Sequence, residues 1–348
     1  MKTCSLHAPF CYFGGKRRVS AKIWNRMGNV QNYIEPFFGS GAVLLSRPHE
    51  NPRVETVNDL DAHICNFWRA TSKDPEAVAD SIDWPVIEID MHSRHIKMIQ
   101  QIPSLKEKLL EDEEYFDAKL AGWWCWGICI WIGSGWCVRA APNKRPCIEG
   151  RHGVDVLHGE RRRKSKQRPH LGGFSADRGI VNFPRDCCIL ARLSEDGFCK
   201  YRSQWLIRKI GAFRDRLRNV RILTGDWLRV CDSESVTTRL GTTGIFFDPP
   251  YGAKAGRTKN IYAKDSDTVA EAVRKYCLER GDNKMMRICL AGYEGEGHEE
   301  LEENGWSCVP WKGIGYGVRS EHGKENAKKE RLWFSPNCKS DRKVSLWT

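Results

Sequence analysis

Gly244-Ile245-Phe246-Phe247-Asp248-Pro249-Pro250-Tyr251-Gly252 reads as a buried strand that stops abruptly at an acid. The apolar run Ile245 to Phe247, bounded by Gly244 and two prolines, is the pattern of a core strand in a largely parallel sheet. In open α/β sheets, ligands bind outside the carboxyl ends of such strands. Pro249 and Pro250 hold φ at about −65° and carry no N–H, so the carbonyls of Asp248 and Pro249 are left to point outward. The corner then offers acceptors and, in Tyr251, a flat stacking surface. That combination suits a planar molecule with an exocyclic amino group, such as a nucleobase. An Asp-Pro-Pro turn closing a core strand has the same local sequence, so the other stretches of the chain must decide.

Three of them lie upstream. Tyr12-Phe13-Gly14-Gly15-Lys16 is an aromatic piece closed by a glycine turn and a lysine, and Val19, Ile23 and Trp24 then fall at helical spacing up to Gly28. Glu35-Pro36-Phe37-Phe38-Gly39-Ser40-Gly41 follows a strand from Asn32 and precedes a helix. Glycines there let the backbone approach a ligand, and the following helix start favours negative charge. A dinucleotide fingerprint would need glycine where Leu44 stands, which disfavours a nicotinamide cofactor. Val54 to Val57 reads as a second strand with Asn58-Asp59-Leu60-Asp61 at its tip. Asp59 has two readings there: the acid that grips a ribose hydroxyl, or the cap of the helix through Ile64, Phe67 and Trp68.

From about residue 85 the rhythm changes. Helical stretches are expected over roughly 104–111 and 115–132. Ala121 to Val138 is an uncharged run whose tryptophans are spread throughout and which Gly133-Ser134-Gly135 breaks, so it predicts a buried helix and no membrane span. Ten basic residues against three acidic ones lie between Arg139 and His170, and Arg161-Arg162-Arg163-Lys164 is a patch of the kind that neutralises phosphates. Cys125, Cys129, Cys137 and Cys147 with His152 and His158 match no recognised zinc spacing, so buried thiols are expected and no metal is invoked. The α/β rhythm resumes at Tyr201: a helix through Trp205, Ile210, Phe213 and Leu217, then a strand over 220–223 ending in Thr224-Gly225-Asp226-Trp227. After the central strand come a helix near 266–280 and strands near 287–291, 306–311 and 331–334.

The 348 residues carry a formal charge of +12, which favours a polyanionic partner. Fifteen cysteines, an odd number without a Cys-x-x-Cys pair, and an N-terminus lacking an apolar targeting core lead us to expect reduced thiols in a cytoplasmic setting. Fourteen tryptophans imply extensive aromatic packing or stacking surface.

Taken in order, the pieces at 12–16, 35–41, 58–61 and 248–251, with a large insertion before the last, resemble the Dam-like N6-adenine-specific DNA methyltransferases, including their bacteriophage members. The resemblance covers about 1–85 and 200–336. It implies a Rossmann-like α/β sheet, mostly parallel with the last strand antiparallel, that uses S-adenosylmethionine. An inserted, mainly helical and loop target-recognition region is expected at 86–199, and a basic tail at 337–348. By the resemblance, Tyr12, Gly14, Gly15 and Lys16 contact the cofactor, and Glu35, Pro36, Phe37, Gly39 and Gly41 line its methionine end. Asp59 holds its ribose, and Asp226 is the candidate beside its adenine. Asp248, Pro249, Pro250 and Tyr251 form the catalytic motif, and the basic run at 161–164 is the expected DNA contact. The implied partners are double-stranded DNA and, in restriction-modification pairs, a cognate nuclease. N4-cytosine or RNA methylation, and a silent DNA-binding scaffold, remain open as alternatives, because the same acceptor corner suits each amine and the fold alone does not prove turnover.

Overall fold

A computed structural model of the chain describes residues 6–10, 12, 15–48, 54–130, 136–137, 202–250, 267–311 and 328–340. It divides into two compact units. A helical unit gathers the described parts of 1–15 and 60–218, and a sheet unit those of 16–59, 219–258 and 265–348.

The sheet unit contains β1 (Asn32–Glu35), β2 (Val54–Asp59), β3 (Val220–Thr224), β4 (Thr243–Phe247), β5 (Met286–Tyr293), β6 (Ser307–Pro310) and β7 (Glu330–Phe334), in the spatial order β3-β2-β1-β4-β5-β7-β6. Strands β1 to β5 pair in parallel, whereas β7 runs antiparallel to both β5 and β6. This is the expected mostly parallel sheet with its last strand reversed. Both central strands are buried along their whole length, as a sheet covered on two faces requires. On one face Ile34, Ile245, Phe247, Ile288 and Leu290 pack with Val273, Tyr276 and Cys277 of α8 (Asp267–Arg280) and with Trp227 and Leu301. Helix α1 (Ser20–Met27) packs beside β5, and a Cβ added at Gly244 would lie 3.0 Å from Val30 and 3.3 Å from the Met27 sulfur. Glycine therefore stands in β4 where the chain after α1 crosses it.

The order reverses between β1 and β4: β2 and β3 lie to one side of β1, and β5 onward to the other side of β4. Such a switch point opens a crevice outside the carboxyl ends of the two strands. Asp248 is the first residue beyond β4, and Pro36 the first beyond β1. The start of the expected basic tail is docked on this unit, with the Lys339 N–H donating to the Arg26 carbonyl at 2.7 Å.

The helical unit contains α3 (Ala62–Lys73), α4 (Pro75–Ile82), α5 (Glu88–Glu111), α6 (Ala118–Ile130) and α7 (Arg202–Leu217). Helix α4 packs on α6 and α7, while α3 packs on α5, α6 and α7. Small residues permit the approach: a Cβ at Gly122 would lie 2.3 Å from that of Ser81, and one at Gly127 would strike the Trp136 ring. Phe10, Phe67, Trp68 and Trp124 form one edge-to-face cluster, which Phe213 extends through Trp68. Much of the tryptophan excess is therefore packing. Among the described residues no helix is long and apolar enough to cross a membrane, and α6 is buried as the uncharged run predicted. Cys125, Cys129 and Cys137 are buried cysteines outside any disulfide, and burial pushes the Cys137 thiol well up. Cys147, His152 and His158 lie outside the described residues.

Two expectations need correction. Asp61, not Asp59, caps α3, its carboxylate accepting the His63 N–H at 2.8 Å. The helix expected from 104 begins at Glu88 and runs through Pro103. An interior proline costs about 3 kcal/mol. Here Met91, His95, Met98, Ile99, Leu105 and Leu109 bury one continuous stripe, each apolar side chain worth roughly 1.5–3 kcal/mol. The stripe outweighs the single lost bond, so the helix continues.

Candidate active site at the carboxyl ends of the central strands

The turn after β1 is held from three directions. The Phe38 N–H donates to the Asn58 carbonyl at 2.9 Å and the Gly41 N–H to the Phe38 carbonyl at 2.8 Å. The Gly39 N–H donates to Asp59 Oδ2 at 2.8 Å. Gly39 and Gly41 have φ of 48° and 68°, and a Cβ at Gly41 would lie 2.7 Å from the Phe38 ring. Both position and conformation exclude larger residues there. Helix α2 (Ala42–Leu45) is a single turn. Its Leu44 N–H is already taken by Glu35 Oε2 at 3.2 Å, so the dipole anticipated for this helix start contributes little.

Glu35 is buried. Its Oε2 also accepts the Tyr33 hydroxyl at 2.9 Å. Burial pushes its carboxyl up to about 8, reinforced by the charges of Asp248 and Glu55 and opposed by the two hydrogen bonds. The carboxyl ties the end of β1 to α2 through Leu44, and burial favours its neutral form. A raised folded-state value means that folding takes up a proton between about pH 4.5 and 8, so stability falls as pH rises through that window. Glu35→Gln should flatten that slope, gaining roughly a few kcal/mol relative to wild type at pH 8 compared with pH 5. Thermal melts across pH 5 to 9 measure it, and a slope preserved in the variant would assign it to another group.

Asn58 ties three loops together. Its side-chain amide donates to the Pro36 carbonyl at 3.1 Å and to the Gly225 carbonyl at 3.0 Å. The Gly225 N–H returns a bond to the Asp59 carbonyl at 3.1 Å. Asp226 is exposed at the tip of β3, where its carboxylate accepts the Leu228 N–H at 2.9 Å. The next residue, Trp227, stacks on Phe37 with centroids 6.2 Å apart and planes at 29°. Phe37 also meets Phe247 of β4 at 6.5 Å, so an aromatic wall joins the β1, β3 and β4 ends.

At the β4 end, Lys16 Nζ lies 2.8 and 3.0 Å from the two oxygens of Asp248, with the lysine 2% and the aspartate 15% exposed. Lys16 precedes α1 and anchors it, its carbonyl accepting the Val19 N–H at 3.1 Å, and its ammonium also lies 5.5 Å from the Trp311 ring centroid. A lysine 232 positions away in sequence thus binds the acid of the Asp-Pro-Pro corner.

Of the residues singled out from sequence, Lys16, Glu35, Pro36, Phe37, Gly39, Gly41, Asp59, Asp226, Asp248, Pro249 and Pro250 all belong to the sheet unit, at or beside its carboxyl edge. Tyr12 and Gly15 belong to the helical unit, where the Gly15 N–H closes a turn on the Tyr12 carbonyl at 3.0 Å. Gly14, Tyr251 and Arg161 to Lys164 lie outside the described residues. Asn58, Trp227 and Trp311 had no assigned role, and each borders a motif residue or faces one across the sheet edge.

This strand order, with a glycine turn at β1, an acid at the β2 tip and an acid-proline-proline corner after β4, is consistent with the Rossmann-like fold of the methyltransferases. Residues 12–120 match the sequence model of the D12 class N6 adenine-specific DNA methyltransferases. That stretch, which includes β1, β2 and the motif residues from Tyr12 to Asp59, is similar to a family of enzymes acting on adenine in DNA. No curated protein matches the chain.

Proposed function

We propose that this enzyme methylates the N6 amine of a DNA adenine extruded from the helix, with S-adenosylmethionine as donor and Asp248 as the acceptor that organises the amine. The observation that carries the reading is the Lys16–Asp248 pair at the switch point, one strand away from the glycine turn braced by Asp59.

The residues present fit such a cofactor. Gly39 and Gly41 hold the left-handed turn beside which it would lie, Asp59 is the proposed grip on a ribose hydroxyl, and Phe37 with Trp227 offers an aromatic wall ending at the exposed Asp226. S-adenosylmethionine, when bound, supplies a methyl group made electrophilic by the adjacent sulfonium. Tyr12, Gly14, Gly15 and Lys16 are further proposed contacts.

An adenine amine is a weak nucleophile because its lone pair is delocalised into the ring. Asp248 and the Pro249 carbonyl accept its two hydrogens and favour a pyramidal nitrogen. Lys16 occupies both carboxylate oxygens, yet each oxygen has two lone-pair directions, so the carboxylate can hold the lysine and receive an amine hydrogen together. Transfer would leave the C–S electron pair on the donor's sulfur and release one N6 proton, for which Asp248 is the proposed acceptor. Positioning and fixed charge supply the catalysis. The paired amine is inaccessible within a duplex, so the base must be extruded, and Tyr251 is the proposed stacking partner. We assign target recognition to 86–199 and phosphate contact to Arg161–Lys164.

Incubation with S-adenosylmethionine and unmodified DNA, digestion to nucleosides and mass detection should yield N6-methyladenine. N4-methylcytosine instead, or no methylated base from a chain that binds the cofactor, would overturn the assignment.

A further inference from the structure

The helical unit carries a constellation that methyl transfer does not use. Arg94 of α5 places its guanidinium carbon 4.5 Å from the ring centroid of Trp126, 4.8 Å from Trp123 and 4.9 Å from Trp84. Lys97 and Lys119 bring their ammonium groups 5.3 and 5.1 Å from the Trp123 centroid. The spacing explains the assembly. Asp90, Arg94 and Lys97 recur at i, i+4 and i+7 on α5, and Lys119, Trp123 and Trp126 do so on α6, so two stripes face each other. Trp84 is fixed beside them: its indole N–H donates to Asp90 at 2.8 Å, and its carbonyl accepts the Trp126 indole N–H at 3.0 Å.

Two features point to a ligand. Arg94 is 6% exposed, and its Nη1 has no hydrogen-bond partner among the described residues. A buried guanidinium donor left without an acceptor is costly, and ring faces offset only part of that cost. The rim, by contrast, is open. Lys97 and Lys119 are exposed and Trp84 is 41% exposed, while Asp90 accepts the Trp84 indole N–H and also acts on Arg94 through its charge, leaving the two lysines as the outward-facing charges of the rim. Cations interleaved with an exposed flat ring match the alternation of phosphate and base face along a nucleic-acid strand. An acidic peptide would use the cations but leave the indole face without a flat partner.

We propose that the Trp84–Arg94–Lys97–Lys119–Trp123 face is a DNA-docking surface, with backbone phosphates on Lys97 and Lys119, an acceptor reaching Arg94, and Trp84 as the stacking ring. This deepens the methyltransferase reading and rests on it, and it adds a basic contact distinct from Arg161–Lys164.

The test uses the full chain, wild type beside Lys97→Glu/Lys119→Glu and the milder Lys97→Gln/Lys119→Gln. Binding of a labelled duplex is read by anisotropy over a salt series, and methylation by KM for DNA and for S-adenosylmethionine. Both lysines are exposed, so the pairs should fold. The expected result is a DNA Kd raised about tenfold or more in the charge-reversed pair and a salt slope lowered by about 2 in both. KM for DNA should rise in step, with no change in KM for S-adenosylmethionine. Trp84→Ala should weaken binding without altering the slope. An unchanged Kd and slope in both lysine pairs, on DNA that wild type binds and methylates, would overturn the docking surface alone. A wild-type chain that binds DNA but leaves adenine unmodified would overturn the methyl-transfer reading alone, with the slopes still judging the surface. A wild-type chain that binds no DNA would sink both.

Discussion

Asp248→Asn is expected to lower methyl transfer at saturating substrates by about 10²–10³-fold, the scale for removing one preorganised electrostatic partner of a reacting group. The asparagine keeps the size of the side chain and a carbonyl oxygen for Lys16, but loses the negative charge and one acceptor position. Asp248→Ala is the less informative change. It would leave Lys16, 2% exposed, without its carboxylate. Breaking a fully buried pair costs about 3–5 kcal/mol, and here somewhat less, because Asp248 is partly open to solvent. A dead alanine variant would thus mix chemistry with unfolding. Single-turnover methylation, read beside the thermal melt and cofactor titration, separates the two. Near-wild-type turnover in Asp248→Asn would remove the acid from the mechanism.

The second large effect is expected at Asp59. Asp59→Ala removes the acceptor of the Gly39 N–H and the acid at the β2 tip in one step. Losing that turn bond alone costs about 1 kcal/mol. With the loss of a ribose contact, the Kd for S-adenosylmethionine should rise about 10²-fold in calorimetric titration, while DNA affinity holds. Asp59→Asn keeps an oxygen for Gly39 but substitutes an amide for the charge. If it binds cofactor as tightly as wild type, the residue serves the turn and not the ligand.

The residues that close chemistry at strand ends were legible because each carries a local signature. The Asp-Pro-Pro corner follows an apolar run, the paired glycines follow Glu35-Pro36-Phe37, and Asp59 ends a strand. What holds them was not legible. Asn58 gains its importance from Gly225, 167 positions away, and no local pattern announces a side chain that ties two remote carbonyls. Nothing local in the sequence signals that the Glu35 carboxyl takes both the Tyr33 hydroxyl and the Leu44 N–H. Helix α5 starts well before the expected 104–111 and passes through Pro103, a residue that local sequence alone marks as a boundary. The buried stripe that overrides it emerges only once α3 and α6 are in place. The abundance of tryptophan had two meanings in sequence, and both are present: Trp24, Trp68, Trp126 and Trp333 are interior, whereas Trp84 faces solvent.

Strands β2 and β3 lie side by side with Asp59 opposite Thr224, although everything from 60 to 219 separates them in sequence. The two strand ends are held by the ladder and by the Gly225 return bond, whatever the length of the intervening passage. Loop closure becomes only slowly more costly with length. Such a layout lets the chain between the two strands vary in length while their carboxyl ends keep their register.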